Sequence, residues 1–148
     1  MFDRKNIRLE SYAYHSDGYY FVTIVSRLRL SLLAGLEGLV QNIFSSAVSG
    51  IHGVRIDTLV VMPNHIHMII HMQNARLHLG QVVRRMKAKT SYELGQSVWQ
   101  ANYYEHIIRS EESLGLIREY IRQNPEMERI KIMEQADKSA RYDNVGMS

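Results

Sequence analysis

Thr58-Leu-Val-Val-Met-Pro-Asn-His-Ile-His-Met-Ile-Ile-His71 is the stretch whose reading decides the fold. An apolar, β-branched run breaks at Pro63-Asn64 and resumes with histidines at 65, 67 and 71. Two strands joined by a tight turn account for this pattern, because Pro and Asn favour turns and the flanks favour extended chain. Strand alternation then places His65 and His67 on one face, roughly 6–7 Å apart. Two neutral imidazoles at that spacing converge on one point and make half of a metal site. The competing reading is a pair of core histidines whose nitrogens are satisfied by neighbours.

Upstream, Tyr19-Tyr-Phe-Val-Thr-Ile-Val-Ser26 is dense in aromatic and β-branched residues and predicts another strand. Residues 27–36 connect it to a helix at about 36–49, where Leu36, Leu39/Val40, Ile43/Phe44 and Ala47 recur at helical spacing. Gly50 and Gly53 mark its exit. Strand Val54–Met62 and strand His65–Met72 form the hairpin. A second helix follows at about 77–94, with Leu79, Val82/Val83, Met86 and Thr90 on its apolar stripe. Tyr103–Arg109 alternates well enough for a fourth strand.

Ser110 is a good N-cap for a third helix, and Glu111 and Glu112 suit its positive end. Leu114, Ile117 and Ile121 give that helix a buried stripe, and Pro125 breaks or kinks it. Residues 126–137 can continue as helix. The order β-α-β-β-α-β-α predicts an α+β chain. Its first six elements form a ferredoxin-like antiparallel sheet with helices on one face, followed by a C-terminal helix. One domain over 1–148 is expected, with 1–17 and about 138–148 loosely ordered.

Composition narrows the chemistry. The chain has 148 residues and no Cys, which removes thiolate ligands, disulfides and a cysteine nucleophile. No apolar run approaches the ~20 residues of a membrane span, and the start lacks the apolar core of a signal peptide. A cytoplasmic, nucleoid-associated protein is the expectation. Net charge is +3 and the pI about 9.2, consistent with an anionic partner. Arg76, Arg84, Arg85, Lys87 and Lys89 occur with no acid between positions 76 and 92, where a solvated helix face would mix both signs. That run predicts phosphate contacts. Trp99, Tyr103 and Tyr104 are candidates for stacking on unpaired bases, or are ordinary core and surface aromatics.

Two further readings concern the histidines and the third helix. His71 shares the parity of His65 and His67 but lies four residues on, roughly 13 Å along a strand, too far to complete their site. It is structural or DNA-proximal. A histidine-triad nucleotide hydrolase would place a His at position 69, which is Ile69. On the third helix Tyr120 and Asn124 stand at i and i+4 and can project from one face. Each has a plainer role open to it, a rim tyrosine and a helix-ending Asn.

Val60-Val-Met-Pro-Asn-His-Ile-His67 resembles the His-hydrophobic-His motif of the single-tyrosine HUH transposases. Val98-Trp-Gln-Ala-Asn-Tyr-Tyr-Glu-His-Ile-Ile-Arg109 with Glu119-Tyr-Ile-Arg-Gln-Asn-Pro125 resembles the second half of their REP-associated branch. Tyr19-Tyr-Phe-Val-Thr-Ile resembles its first strand. The likeness runs from about residue 19 to 130. It implies an enzyme that cuts and rejoins single-stranded or hairpin DNA, with His65, His67 and Asn124 on a divalent ion and Tyr120 as nucleophile. Gln123 is the rival third ligand. The ligand set suits Mg²⁺ or Mn²⁺, and the product is a 5′-phosphotyrosyl enzyme. Relatives act as monomers, or as homodimers that exchange the tyrosine helix. Two alternatives remain: a non-catalytic nucleic-acid-binding module on the same sheet, and a metal-dependent phosphodiesterase with no covalent intermediate.

Overall fold

The computed structural model describes residues 17–123. The expected loose lead-in over 1–17, except residue 17, the helix at 126–137, the loose tail at about 138–148, and Asn124 lie outside the described residues. Four strands, β1 (Gly18–Val25), β2 (Val54–Met62), β3 (His65–Met72) and β4 (Tyr104–Ile108), form one antiparallel sheet in the order β2-β3-β1-β4. Helices α1 (Glu37–Val48) and α2 (Leu79–Leu94) alternate with the strands, and α3 (Glu111–Arg122) closes the described chain. The expected ferredoxin-like topology is present, and the element ends differ from expectation by one or two residues, where helices and strands fray.

The sheet separates two apolar clusters because its side chains alternate. Tyr20, Val22 and Ile24 of β1 and Ile66, Met68, Ile70 and Met72 of β3 face Val40, Phe44, Val48, Leu79, Val82, Val83 and Met86 of α1 and α2. The opposite face carries Tyr19, Phe21, Val60, Ile69 and Ile108, which pack against Leu114, Ile117, Tyr120 and Ile121 of α3. Strand β3 is therefore covered on both sides, and its apolar run Met68, Ile69 and Ile70 is buried in full although the side chains alternate between faces. Among the described residues, α3 is the one helix across the face that the histidines share.

Local devices fix the ends. Ser110 Oγ accepts a bond from Ser113 N at 3.1 Å, capping α3. Gly95 ends α2 in the left-handed conformation at φ 73. Gly53, at φ +79, sits where a Cβ would lie 2.3 Å from the Gln73 carbonyl oxygen, so no other residue fits that turn. Strand β2 carries a bulge: Ile56 pairs with Ile70 and Thr58 with Ile69, leaving Asp57 as the extra residue.

Candidate active site

The β1–β3 register sets the neighbours of the two histidines. Val25 pairs with His65 and Thr23 with His67. The imidazoles stand with ring centroids 4.7 Å apart, edge to face. His67 Nδ1 lies 2.9 Å from Thr23 Oγ1, directly across the ladder. His65 Nδ1 lies 2.7 Å from Asn64 Oδ1.

Asn64 is oriented from its other end as well. Its Nδ2 donates to the Arg29 carbonyl oxygen at 3.4 Å, and its backbone carbonyl oxygen accepts from Ser26 N at 3.0 Å. With the amide turned that way, Oδ1 faces His65, so His65 Nδ1 carries the proton. In the neutral ring Nε2 then holds the lone pair, as a metal-binding histidine requires. Thr23 and Asn64 are the site residues that sequence reasoning missed. Asn64 sat inside the motif but read only as a turn former, and Thr23 needs the strand register to be recognised.

Helix α3 brings Tyr120 to the histidine face. The Tyr120 and His67 ring centroids are 5.8 Å apart, and Phe21 flanks both, 5.5 Å from His67 and 6.5 Å from Tyr120. The Tyr120 hydroxyl oxygen is shielded from solvent. Gln123, the rival third ligand, caps the end of α3 and is exposed, with Nε2 donating to Glu119 Oε2 at 2.7 Å. Among the described residues no group of three or more His, Cys, Asp or Glu could hold a metal ion. Two imidazoles with fixed rings are the fitting part of such a site within the described chain.

His71 belongs to a different neighbourhood on the same face. Its ring stacks on Tyr19 at 4.2 Å, and its Nδ1 lies 3.3 Å from Arg55 Nη2. Burial, and next the Arg55 charge, push its pKa down.

The basic helix lies on the other side of the sheet from Tyr120. Arg84 and Arg85 are exposed, as phosphate contacts would need to be. Two of the expected contacts are otherwise engaged. Lys87 Nζ donates to the carbonyl oxygens of Gln100 at 2.8 Å and Ala101 at 3.1 Å, which ties α2 to the segment before β4. Burial lowers the pKa of Lys87. Lys89 pairs with Glu93 at 3.3 Å, an acid one position beyond the stretch that held none.

Trp99 also departs from expectation. It is 8% exposed and packs edge-on against Phe44 at 5.9 Å, as part of the core beneath α1 and α2. An indole removes so much apolar surface from water that the core claims it ahead of a base-stacking role. Arg84, Lys87, Trp99 and Tyr103 nonetheless line one cleft of about 590 Å³ between α2 and residues 97–103.

Among the described residues no helix is long and apolar enough to cross a membrane. Residues 14–124 match the family model of IS200-like transposases. An uncharacterized protein of Haemophilus influenzae is 35% identical over an alignment covering 82% of this chain and 88% of that protein. The solved structure of a REP-associated tyrosine transposase bound to a REP hairpin superposes with a TM-score of 0.66 at 22% identity. That match covers 82% of this chain and 70% of the other. A candidate transposase from Deinococcus radiodurans gives 0.56 at 18% identity, over 80% and 95%. Both structural likenesses concern the fold.

Proposed function

Because the chain belongs to the IS200-like transposases, we propose that it is a metal-dependent endonuclease and strand transferase for hairpin-bearing single-stranded DNA, with Tyr120 as nucleophile. The observation that carries this reading is the placement of the Tyr120 ring 5.8 Å from His67, which itself stands 4.7 Å from His65.

In this reading His65 and His67 would hold a divalent ion through their ring nitrogens, and Asn124, beyond the described residues, would add an amide oxygen. Gln123 is the alternative to Asn124. A Mg²⁺ or Mn²⁺ ion held there would supply positive charge to polarise the scissile phosphate and offset the charge developing in the displacement. Tyr120 Oη attacks phosphorus, the bond to the 3′ oxygen breaks, and the phenolic proton is passed on to the departing 3′-hydroxyl. The 5′ end is left as a phosphotyrosyl ester, and a second 3′-hydroxyl reverses the step to join strands. A phenol with an ordinary pKa near ~10 is a weak nucleophile at neutral pH, which is why a cation beside it matters. Thr23 and Asn64 keep the two rings aimed, and Phe21 and α3 exclude water from the tyrosine.

Hairpin recognition is assigned to Arg84 and Arg85, whose exposed guanidinium groups suit a phosphate backbone. The solved relative that carries a REP hairpin supports a structured DNA substrate. The direct test is incubation with hairpin-bearing single-stranded DNA and Mn²⁺, followed by denaturing gel analysis for a covalent adduct. Tyr120→Phe is expected to abolish the adduct, while Tyr103→Phe and Tyr104→Phe retain it. An adduct that survives in Tyr120→Phe overturns the assignment, and cleavage with no adduct at all points to hydrolysis by water.

A further inference from the structure

Among the described residues, helix α3 is fastened to the sheet by one ion pair that the chemistry leaves unused. Asp57 is the extra residue of the β2 bulge, and a bulge re-aims side chains that regular pleating would alternate. Ile56 and Leu59 stay with the cluster beneath α1 and α2. Asp57 instead meets α3 on the opposite face. Its carboxylate accepts from Arg118 twice, Nε to Oδ2 at 2.9 Å and Nη2 to Oδ1 at 2.8 Å. Thr58 Oγ1 donates to Oδ2 at 2.7 Å, and Arg55 Nη1 stands 3.5 Å from Oδ1. The Asp57 side chain is only 7% exposed. Arg118 also lies over the Tyr19 ring, with Cζ 5.7 Å from its centroid.

Among the described residues the packing of α3 on the sheet is mainly apolar: Ile69, Ile108, Leu114 and Ile121, with half-buried Phe21, Val60, Ile117 and Tyr120 around them. Apolar contact is non-directional and tolerates a helix that slides or rolls. A two-point guanidinium–carboxylate bond does not, because both donors and both acceptors have fixed geometry. Arg118 and Tyr120 are two residues apart, about 3 Å along the helix axis. A roll or slide that breaks one contact therefore displaces the other.

We propose that Asp57 and Arg118 form a latch that sets the roll and depth of α3 and so holds the Tyr120 ring beside His67. They are positioning residues for the tyrosine, and their effect on reaction rate rests on the reading of Tyr120 as nucleophile.

The test labels Tyr120 with 3-fluorotyrosine in the full chain and records ¹⁹F spectra without metal or DNA. The same variants are assayed for single-turnover adduct formation and for hairpin affinity. Arg118→Ala and Asp57→Ala are expected to move or broaden the Tyr120 resonance, because the ring leaves the shielding of His67 and Phe21. Adduct formation should slow roughly 10- to 100-fold, the scale of an ångström-level misplacement, with hairpin affinity unchanged. Arg118→Lys keeps the charge but loses the fork, and should shift the resonance in the same direction by less. If Arg118→Ala fails to fold, Arg118→Lys carries the test alone. A folded variant with an unmoved Tyr120 resonance overturns the latch. A moved resonance in a protein whose wild-type form makes no adduct overturns Tyr120 as nucleophile and leaves the latch standing.

Discussion

His67 on strand β3 and Tyr120 on helix α3 are separated by 53 positions in the chain, yet their ring centroids lie 5.8 Å apart on the same face of the sheet. Thr23 holds His67 from one side and Phe21 covers it from the other. Three elements distant in sequence therefore build this corner, and each can be perturbed separately.

Removing the partners of the imidazoles should loosen metal binding without touching a ligand. Asn64→Ala and Thr23→Val are expected to weaken Mn²⁺ binding roughly 10- to 100-fold, the usual cost of losing an outer hydrogen bond to a histidine ligand. Titration calorimetry or Mn²⁺ EPR reads this directly, with no DNA present. Unchanged affinity in both variants would mean that the rings are aimed by packing alone.

His65→Ala separates chemistry from recognition. Cleavage and Mn²⁺ binding should disappear while hairpin binding persists, because Arg84 and Arg85 lie across the sheet from His65. Gel-shift and cleavage assays on one preparation check it. Parallel loss of both activities would make His65 a structural residue.

Asp57 gives a stability signature in acid. The Arg118 hydrogen bonds, aided by Thr58, hold its pKa at about 2, below its ordinary 3.8. A depressed carboxylate pKa means that the folded state favours the ionised form. The stabilisation is present above about pH 4 and is lost as pH falls toward 2, on the order of 2 kcal/mol in all. Urea midpoints measured between pH 6 and pH 2.5 should fall less steeply in Asp57→Asn than in the wild type. Identical slopes would show that Asp57 titrates alike in folded and unfolded chains.

The basic helix and Trp99 should part company under mutation. Arg84→Ala and Arg85→Ala are each expected to weaken hairpin binding and lower the salt dependence by about one counterion, with little change in stability. Trp99→Ala should destabilise the fold by about 3–5 kcal/mol, as buried aromatic truncations do. Lys87→Ala should loosen residues 100–102, because its ammonium binds their carbonyl oxygens. Thermal unfolding and salt-titrated binding separate these effects. A folded, stable Trp99→Ala with lost DNA affinity would restore the stacking role.

Much of the sheet is written in local patterns. The alternation of Tyr20, Val22 and Ile24, the turn at Pro63-Asn64 and the Ser110 cap each follow from chemistry within a few residues, and the element order follows from them. The histidine pair was visible for the same reason, since i and i+2 on a strand share a face whatever the rest of the chain does. Family likeness pointed to Tyr120, but the residue's own surroundings gave no such sign.

The partners of those residues were not legible. Whether Thr23 or Phe21 faces His67 depends on strand register, and register is set by pairing across 44 positions. Trp99 and Lys87 read as surface contacts because their types suit nucleic acid, but packing density beneath α1 and the carbonyls of residues 100–102 claimed them. The bulge at Asp57 left no sequence mark, since an extra residue is defined only against a paired strand.

For the opening hairpin, then, the sequence by itself determined two strands, a turn and two imidazoles on one face, because strand periodicity is a local property of the backbone. Only the tertiary structure decided that Thr23 and Asn64 hold those rings, and that α3 lies across them with Tyr120 beside His67. Such contacts join distant segments, and their geometry depends on how the sheet, the bulge and the helix pack together.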